Sequence, residues 1–153
     1  MSGRYTGGCQ CGAVRYSIDA TPRMIYACHC TQCQRVSGAA FAMACLFAAQ
    51  SFEMTGVQPN FYVREGKGGR KVRCSFCPKC GSRINNQWFT EQGDIPFVSL
   101  RPGTLDDTSW VRPDFHIWAQ HRQPWIRFSA EDVVYEQAMP VERMRPFFQG
   151  QSA

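Results

Sequence analysis

Apolar and polar residues alternate with a period of two along short stretches of this chain, and Gly, Pro and Asn break the stretches apart. Such alternation puts one set of side chains on each face of a pleated strand, whereas a helix repeats every three to four residues. Ala13-Val-Arg-Tyr-Ser-Ile18 shows the pattern after a Gly-containing turn, and Met24-Ile-Tyr-Ala-Cys28 reads as a second strand. Further strands are expected over Phe41–Phe47, Ser51–Met54, Phe61–Arg64, Lys71–Phe76, Ile84–Trp88, Pro96–Arg101 and Val133–Gln137, with Gly66-Lys-Gly-Gly69 as the turn before Lys71. One short helix is expected over Thr31–Val36, with Thr31 as its N-cap and Gly38 as its stop. Asp106-Asp107-Thr-Ser reads as a loop, and residues 146–153 as a tail with Phe147 and Phe148 available to dock. Many short strands with turn chemistry between them predict a mainly β fold. No repeat, low-complexity tract or composition shift divides the 153 residues, so a single domain over 1–153 is expected.

Composition narrows the field. At 44% apolar and 19% charged residues the chain can bury a core, which excludes extensive disorder. The net charge of +5 is too small and too dispersed for a nucleic-acid-binding stripe, so nucleic acid is not an expected partner. The longest apolar run, Ala39–Ala49, falls short of the roughly 20 residues that span a bilayer, so no membrane partner is expected either. The stretch Met1–Gly8 carries no apolar signal segment, which predicts a cytoplasmic protein.

The nine cysteines change the picture most. Seven of them fall in three clusters: Cys9-Gln-Cys11, Cys28-His29-Cys30-Thr-Gln-Cys33 and Cys77-Pro-Lys-Cys80-Gly81. An odd count, no export signal and neighbours too close to bridge without strain argue against a disulfide framework. Thiolates at these spacings are metal ligands, and zinc is the expected metal. The first and third clusters together supply four sulfurs, enough to close one tetrahedral structural site and to fix the topology of the long intervening segment. Pro78 presets the third turn, and Cys74 is the competing ligand there.

The middle cluster supplies three sulfurs. Structural zinc sites are closed, whereas catalytic ones keep a position for water or substrate. Three thiolates damp the Lewis acidity of the metal and favour a soft sulfur as the incoming group. A thiol deprotonated there could attack a small carbonyl, and the reverse step would cleave a carbon–sulfur bond. If His29, Cys45, Cys74 or His116 completes the shell instead, the domain is a non-catalytic zinc-binding interaction module. A third reading is a thiol or metal sensor. His29, between two ligands, is expected to point away from the metal.

With these clusters in place the chain resembles the glutathione-dependent formaldehyde-activating enzyme family and the related centromere protein V group. The matching segments are Gly7-Gly-Cys-Gln-Cys-Gly-Ala-Val-Arg-Tyr16, Cys28-His-Cys-Thr-Gln-Cys-Gln-Arg-Val-Ser-Gly38, Phe76-Cys-Pro-Lys-Cys-Gly-Ser82, Arg101-Pro-Gly-Thr-Leu-Asp-Asp107, His116-Ile-Trp118 and Pro124-Trp125. The resemblance implies an Mss4-like fold of short antiparallel sheets stapled by zinc. It implies a structural zinc at Cys9, Cys11, Cys77 and Cys80 and a second zinc at Cys28, Cys30 and Cys33, two per chain. Cys45 and Cys74 lie outside the family's metal pattern. The implied activity is that of a carbon–sulfur lyase adding glutathione to formaldehyde, with S-hydroxymethylglutathione as the product. Glutathione's carboxylates call for cationic forks. Arg35, one helical turn past Cys30, and Arg101 are the candidate contacts, with Arg122 and Arg127 as further cations. His116 is the candidate for proton transfer, because an imidazole titrates near neutrality. Trp118, Trp125 and Phe128 read as core or lid packing.

Overall fold

The computed structural model describes residues 3–66 and 70–147. The described strands are β1 (Arg4–Gly8), β2 (Val14–Asp19), β3 (Met24–Cys28), β4 (Ala42–Ala48), β5 (Phe52–Gly56), β6 (Asn60–Glu65), β7 (Lys71–Phe76), β8 (Arg83–Thr90), β9 (Gly93–Leu100) and β10 (Phe115–Ile117). Two short α-helices, α1 (Thr31–Ser37) and α2 (Val141–Met144), complete a mainly β chain. It divides into two compact units, Met1–Pro22 with Cys45–Val111 and Arg23–Ala44 with Arg112–Ala153.

The first unit holds a three-stranded antiparallel sheet in the order β1-β2-β5. A second set of antiparallel pairings runs from the last four residues of β4 through β9, β8 and β7 to β6. Period-two alternation accounts for the burial. Val14, Tyr16 and Ile18 of β2 are at most 2% exposed, while Arg15 and Ser17 between them are half-buried. Val72 and Cys74 of β7 face inward with Ile84, Leu100 and Phe47, all completely buried.

Asp106 fastens this unit's first hairpin. Its carboxylate accepts both terminal nitrogens of Arg15, at 2.9 and 2.5 Å, and the Thr6 hydroxyl at 2.6 Å. The Asp106 amide also donates to the Thr6 carbonyl at 2.9 Å. Asp107 makes the expected turn contact, accepting the Ser109 amide at 2.9 Å.

In the second unit β10 pairs parallel with β3, with Phe115 opposite Tyr26 and Ile117 opposite Cys28. The Tyr26 and Phe115 rings stack at 5.7 Å, and Tyr135 and Phe147 close on Phe115 at 6.1 and 5.9 Å. Phe147 thus docks, whereas Phe148 lies outside the described residues. The lysine–glycine turn at 67–69 also lies outside them.

The strand expected over Val133–Gln137 does not form. Its backbone bonds to residues around β10 (His116 amide to Val133 carbonyl, 2.8 Å; Tyr135 amide to His116 carbonyl, 2.9 Å), but only one isolated bridge results, His116 to Val134. The ladder cannot extend because Trp118 adopts a left-handed backbone, φ 58°, and a short 3-10 turn over Ala119–His121 follows at once. Trp125, expected to pack, is 65% exposed, and its indole N–H is satisfied locally by Gln123 at 2.7 Å. No helix among the described residues is long and apolar enough to cross a membrane.

Arg15 first, and then Thr6, hold the Asp106 carboxyl below its ordinary value. A depressed folded-state pKa stabilises at pH above the unfolded value of about 4, and that stability is lost as pH falls through the folded value. With both partners more than 40% exposed, solvent screens the pair to about 0.5–1 kcal/mol. Asp106→Asn should therefore lower the melting temperature at pH 7 by about 1–4 °C. The deficit should shrink in high salt and fade as pH falls through the lowered folded-state value of the Asp106 carboxyl. Thermal melts across pH check this, and a deficit that persists in acid would show that packing rather than charge was lost.

Candidate metal centres

Two hairpin turns of the first unit carry the four-sulfur cluster. Cys9 and Cys11 lie between β1 and β2, and Cys77 and Cys80 lie between β7 and β8. The turns share one construction. In each, a glycine following the second cysteine has φ 75°, and its amide donates to the carbonyl of the first cysteine: Gly12 to Cys9 at 3.0 Å and Gly81 to Cys77 at 2.9 Å. A side chain would strain that left-handed backbone, so glycine is what lets both thiols of a pair face the same point. Backbone amides then point at sulfur, Val14 at Cys9 (3.2 Å) and Lys79 at Cys77 (3.4 Å). Ser82 links the turns, accepting the Gln10 amide at 3.2 Å and lying 3.2 Å from the Cys80 sulfur. Ser82 draws the Cys80 thiol down to about 5.

The four sulfurs lie within 4.8 Å of one another, with Cys9–Cys11 at 3.5 Å and Cys11–Cys77 at 3.8 Å. A zinc–sulfur bond of about 2.3 Å sets tetrahedral S···S distances of about 3.8 Å, so this donor set fits a metal ion. Cys74 is excluded from the cluster: the pleat of β7 turns it into the core beside Val72, where it is completely buried. Cys45, on β4, is likewise buried and outside it.

The second unit carries the three-sulfur cluster. Cys28 ends β3, and Cys30 and Cys33 sit at the start of α1, with all three sulfurs within 4.8 Å. Cys30, not Thr31, is the N-cap: its backbone is extended (φ −62°, ψ 151°) and its sulfur accepts the Cys33 amide at 3.4 Å. Gly38 ends the helix as expected, at φ 63°. Bonds from the Cys28 and Cys33 thiols bring Cys30 down to about 2, and the Cys30 and Cys33 thiols drive Cys28 upward. One thiolate is well stabilised here, while three would repel one another unless a cation lay between them, so this donor set also suits a metal ion. Among the described residues no fourth His, Cys, Asp or Glu donor joins the cluster, so His29, Cys45, Cys74 and His116 do not complete it.

His29 is completely buried and turns to His116, its Nε2 lying 3.0 Å from His116 Nδ1. Phe41 and Phe128 pack against His29 at 5.2 and 5.5 Å, and the Arg122 guanidinium lies 5.6 Å over the Phe128 ring. Burial, followed by the charges of His116 and Arg122, pushes His29 down to about 4, and burial also lowers His116. Both rings are therefore neutral near pH 7. His29 Nδ1 has no hydrogen-bond partner among the described residues. An orphaned buried N–H is costlier than a bare ring nitrogen. His29 thus carries its proton on Nε2 and donates it to His116 Nδ1, which leaves the His116 proton on Nε2. The Gln34 amide nitrogen ties α1 to the neighbouring turn by donating to the carbonyls of His29 (2.7 Å) and His121 (2.8 Å). Arg35 is exposed on α1, and Arg101 belongs to the first unit, its amide bonded to the Ile84 carbonyl at 2.8 Å.

The family model described as glutathione-dependent formaldehyde-activating enzyme matches residues 4–121, a span that takes in both sulfur clusters and the histidine pair. This chain belongs to that family. A solved structure titled only as a Rhodobacter sphaeroides protein is 18% identical, covers 71% of this chain and 91% of its own, and superposes with a TM-score of 0.49. No curated protein matches the chain. In this member of the formaldehyde-activating family, sequence reasoning missed the His29–His116 contact and the roles of Phe41 and Gln34. His116 lies 87 residues from His29, and no local pattern reports their contact.

Long-range 15N–1H spectra of the folded protein near pH 7 should show His29 and His116 both protonated on Nε2. A His116 signal of the Nδ1–H form would reverse the direction of their hydrogen bond.

Proposed function

We propose that this chain is a zinc-dependent carbon–sulfur lyase that adds glutathione to formaldehyde and reverses that addition. One contrast supports the reading: one cluster gathers four sulfurs and the other three, with no fourth protein donor among the described residues. Cys9, Cys11, Cys77 and Cys80 would hold a structural zinc, and Cys28, Cys30 and Cys33 would hold a second. When bound at the three-sulfur cluster, zinc supplies the Lewis acidity that favours a thiol's deprotonated form.

The chain's own residues would do the rest. Arg35, exposed on the helix that carries Cys33, would receive a carboxylate of glutathione. As sulfur bonds to the aldehyde carbon, the carbonyl electron pair moves to oxygen, and the His116 Nε2–H donates a hydrogen bond to the charge developing there. The thiol's proton passes to solvent, and solvent supplies the proton that completes the hydroxyl. His29 holds the His116 ring in the tautomer that can donate. In the reverse direction solvent removes the hydroxyl proton, and the same Nε2–H holds the oxygen's charge as the C–S bond breaks. A cytoplasmic location, where thiols stay reduced, follows from this reading.

Exchange NMR on glutathione with formaldehyde tests it, because the uncatalysed addition gives a baseline in buffer. The wild type should exceed that baseline. Cys30→Ser should stay folded, keep the metal of the four-sulfur cluster and fall to the baseline. Cys77→Ser should lose folded structure by circular dichroism, since structural zinc contributes about 10–16 kcal/mol of apparent binding energy to folding. Wild-type exchange no faster than buffer would refute the reading, and a folded Cys77→Ser protein together with an unfolded Cys30→Ser protein would show that the two clusters' roles are exchanged.

A further inference from the structure

The chain reverses immediately after β10, the strand that carries His116. Trp118 turns left-handed at φ 58°, and a 3-10 turn over Ala119–His121 brings the chain to Arg122. A left-handed backbone at a tryptophan is strained and persists only where its surroundings over-determine it. Three contacts do so. The Trp118 amide donates to the Gln137 carbonyl at 2.9 Å, its indole stacks on His121 at 6.3 Å, and Gln34 of α1 donates to the His121 carbonyl at 2.8 Å. The turn is thereby tied to the helix that carries Cys33.

What this turn presents is the Arg122 guanidinium. It lies 5.6 Å over the Phe128 ring, and Phe128 packs on His116 at 4.7 Å and on His29 at 5.5 Å. Its Nη1 donates to the Ala119 carbonyl at 3.2 Å, which steadies the fork over the ring. No acidic side chain pairs with Arg122 among the described residues, whose ion pairs are Arg15–Asp106, Arg73–Asp94 and Arg112–Glu131. The neighbouring cation, Arg127, turns instead to the backbone carbonyls of Pro124 and Ile126. An arginine seated on an aromatic face and held by one carbonyl keeps the rest of its planar fork for a carboxylate.

Resting on the reading that the thiol is glutathione, we propose that Arg122 binds its glycyl carboxylate and selects thiols that carry such a group. The two carboxylates of glutathione differ in their surroundings. The glutamyl one shares its carbon with an ammonium group, whose charge cancels much of the pull of a cation. The glycyl one stands bare. Arg35, exposed on α1 without an aromatic seat, is left the glutamyl end.

S-methylglutathione separates recognition from chemistry, because its sulfur has no proton to lose and forms no adduct with an aldehyde. Calorimetric titration into the full zinc-loaded chain should show that the wild type binds it, and binds its glycyl ethyl ester about fivefold or more weakly. Arg122→Gln should bind the acid about as weakly as the wild type binds the ester, and should not distinguish the two. Arg122→Lys should recover part of the preference, since it keeps the charge but not the fork. A merely structural role would weaken acid and ester alike in Arg122→Gln and leave their ratio unchanged. That result, a wild type that binds acid and ester equally, or a wild type that binds neither would overturn the proposal. The exchange experiment reads the lyase separately: exchange at the buffer rate with ester discrimination intact would refute the reaction and keep the carboxylate site, and catalysis without discrimination would do the reverse.

Discussion

Four thiols converging from two hairpin turns are the constraint on which the first unit's architecture rests. Cys11 and Cys77 are 66 residues apart in sequence, yet their sulfurs lie 3.8 Å apart. Without a cation, desolvation and mutual repulsion would oppose ionising this group of sulfurs at such distances. A metal ion reverses the sign of that interaction, and its apparent binding energy of about 10–16 kcal/mol compares with the whole net stability of an ordinary domain, about 5–15 kcal/mol. The β1–β2 and β7–β8 turns are therefore best understood as one object. Each glycine at φ 75° and each amide aimed at a sulfur serves a contact that local sequence alone would not stabilise. Val14, Ile18, Val72, Cys74, Ile84 and Leu100 form the buried core of the same unit.

How much of this could be read from the residues depended on how local the cause was. Met24–Cys28 and Lys71–Phe76 form strands with the expected bounds because alternation and flanking turns agree there. The cysteine clusters were legible because metal chemistry demands those spacings, and the structure groups Cys77 and Cys80 with Cys9 and Cys11 while the pleat of β7 turns Cys74 into the core. β1 was missed because its sequence, Arg-Tyr-Thr-Gly-Gly, ends in two poor strand formers and is held instead by pairing with β2 and by the Asp106 contacts. β10 was missed because it is three residues long and is stabilised by parallel pairing with β3, a partner almost ninety residues earlier. Val133–Gln137 misled in the opposite way: its composition suits a strand, and the amides of His116, Trp118, Ala119 and Gln120 bond its carbonyls, but the left-handed turn at Trp118 breaks the regular spacing of a ladder. Thr31 lost the capping position to Cys30 because a sulfur already oriented toward its cluster can accept the same helical amide.

The two clusters differ in what surrounds them as well as in sulfur count. At the four-sulfur cluster, polar backbone groups face the sulfurs and the turns leave Cys11 and Cys80 exposed. Beside the three-sulfur cluster the chain instead builds a polar pair inside an aromatic shell, with His29 completely buried and Phe41 and Phe128 against it. A buried imidazole with one nitrogen unpartnered is a cost that folding alone does not require, since an apolar side chain of similar volume would fill the space without it. The aromatic shell also works against charging the pair, because burial lowers both histidines.

These two facts constrain the chemistry together. A neutral His29 bonded only to His116 fixes one tautomer there, and a fixed tautomer matters only to a group that exchanges a hydrogen bond with something beyond the pair. A zinc module that served merely as a scaffold would gain nothing from that arrangement, and one that served to bind nucleic acid would gain more from exposed cations than from a neutral pair in an apolar shell. The buried histidine pair and the three-sulfur cluster meet in one short stretch, Cys28-His29-Cys30, so one peptide segment positions both. Any substitution that moves the backbone at His29 must disturb the sulfur donors and the histidine pair at the same time, through covalent geometry alone.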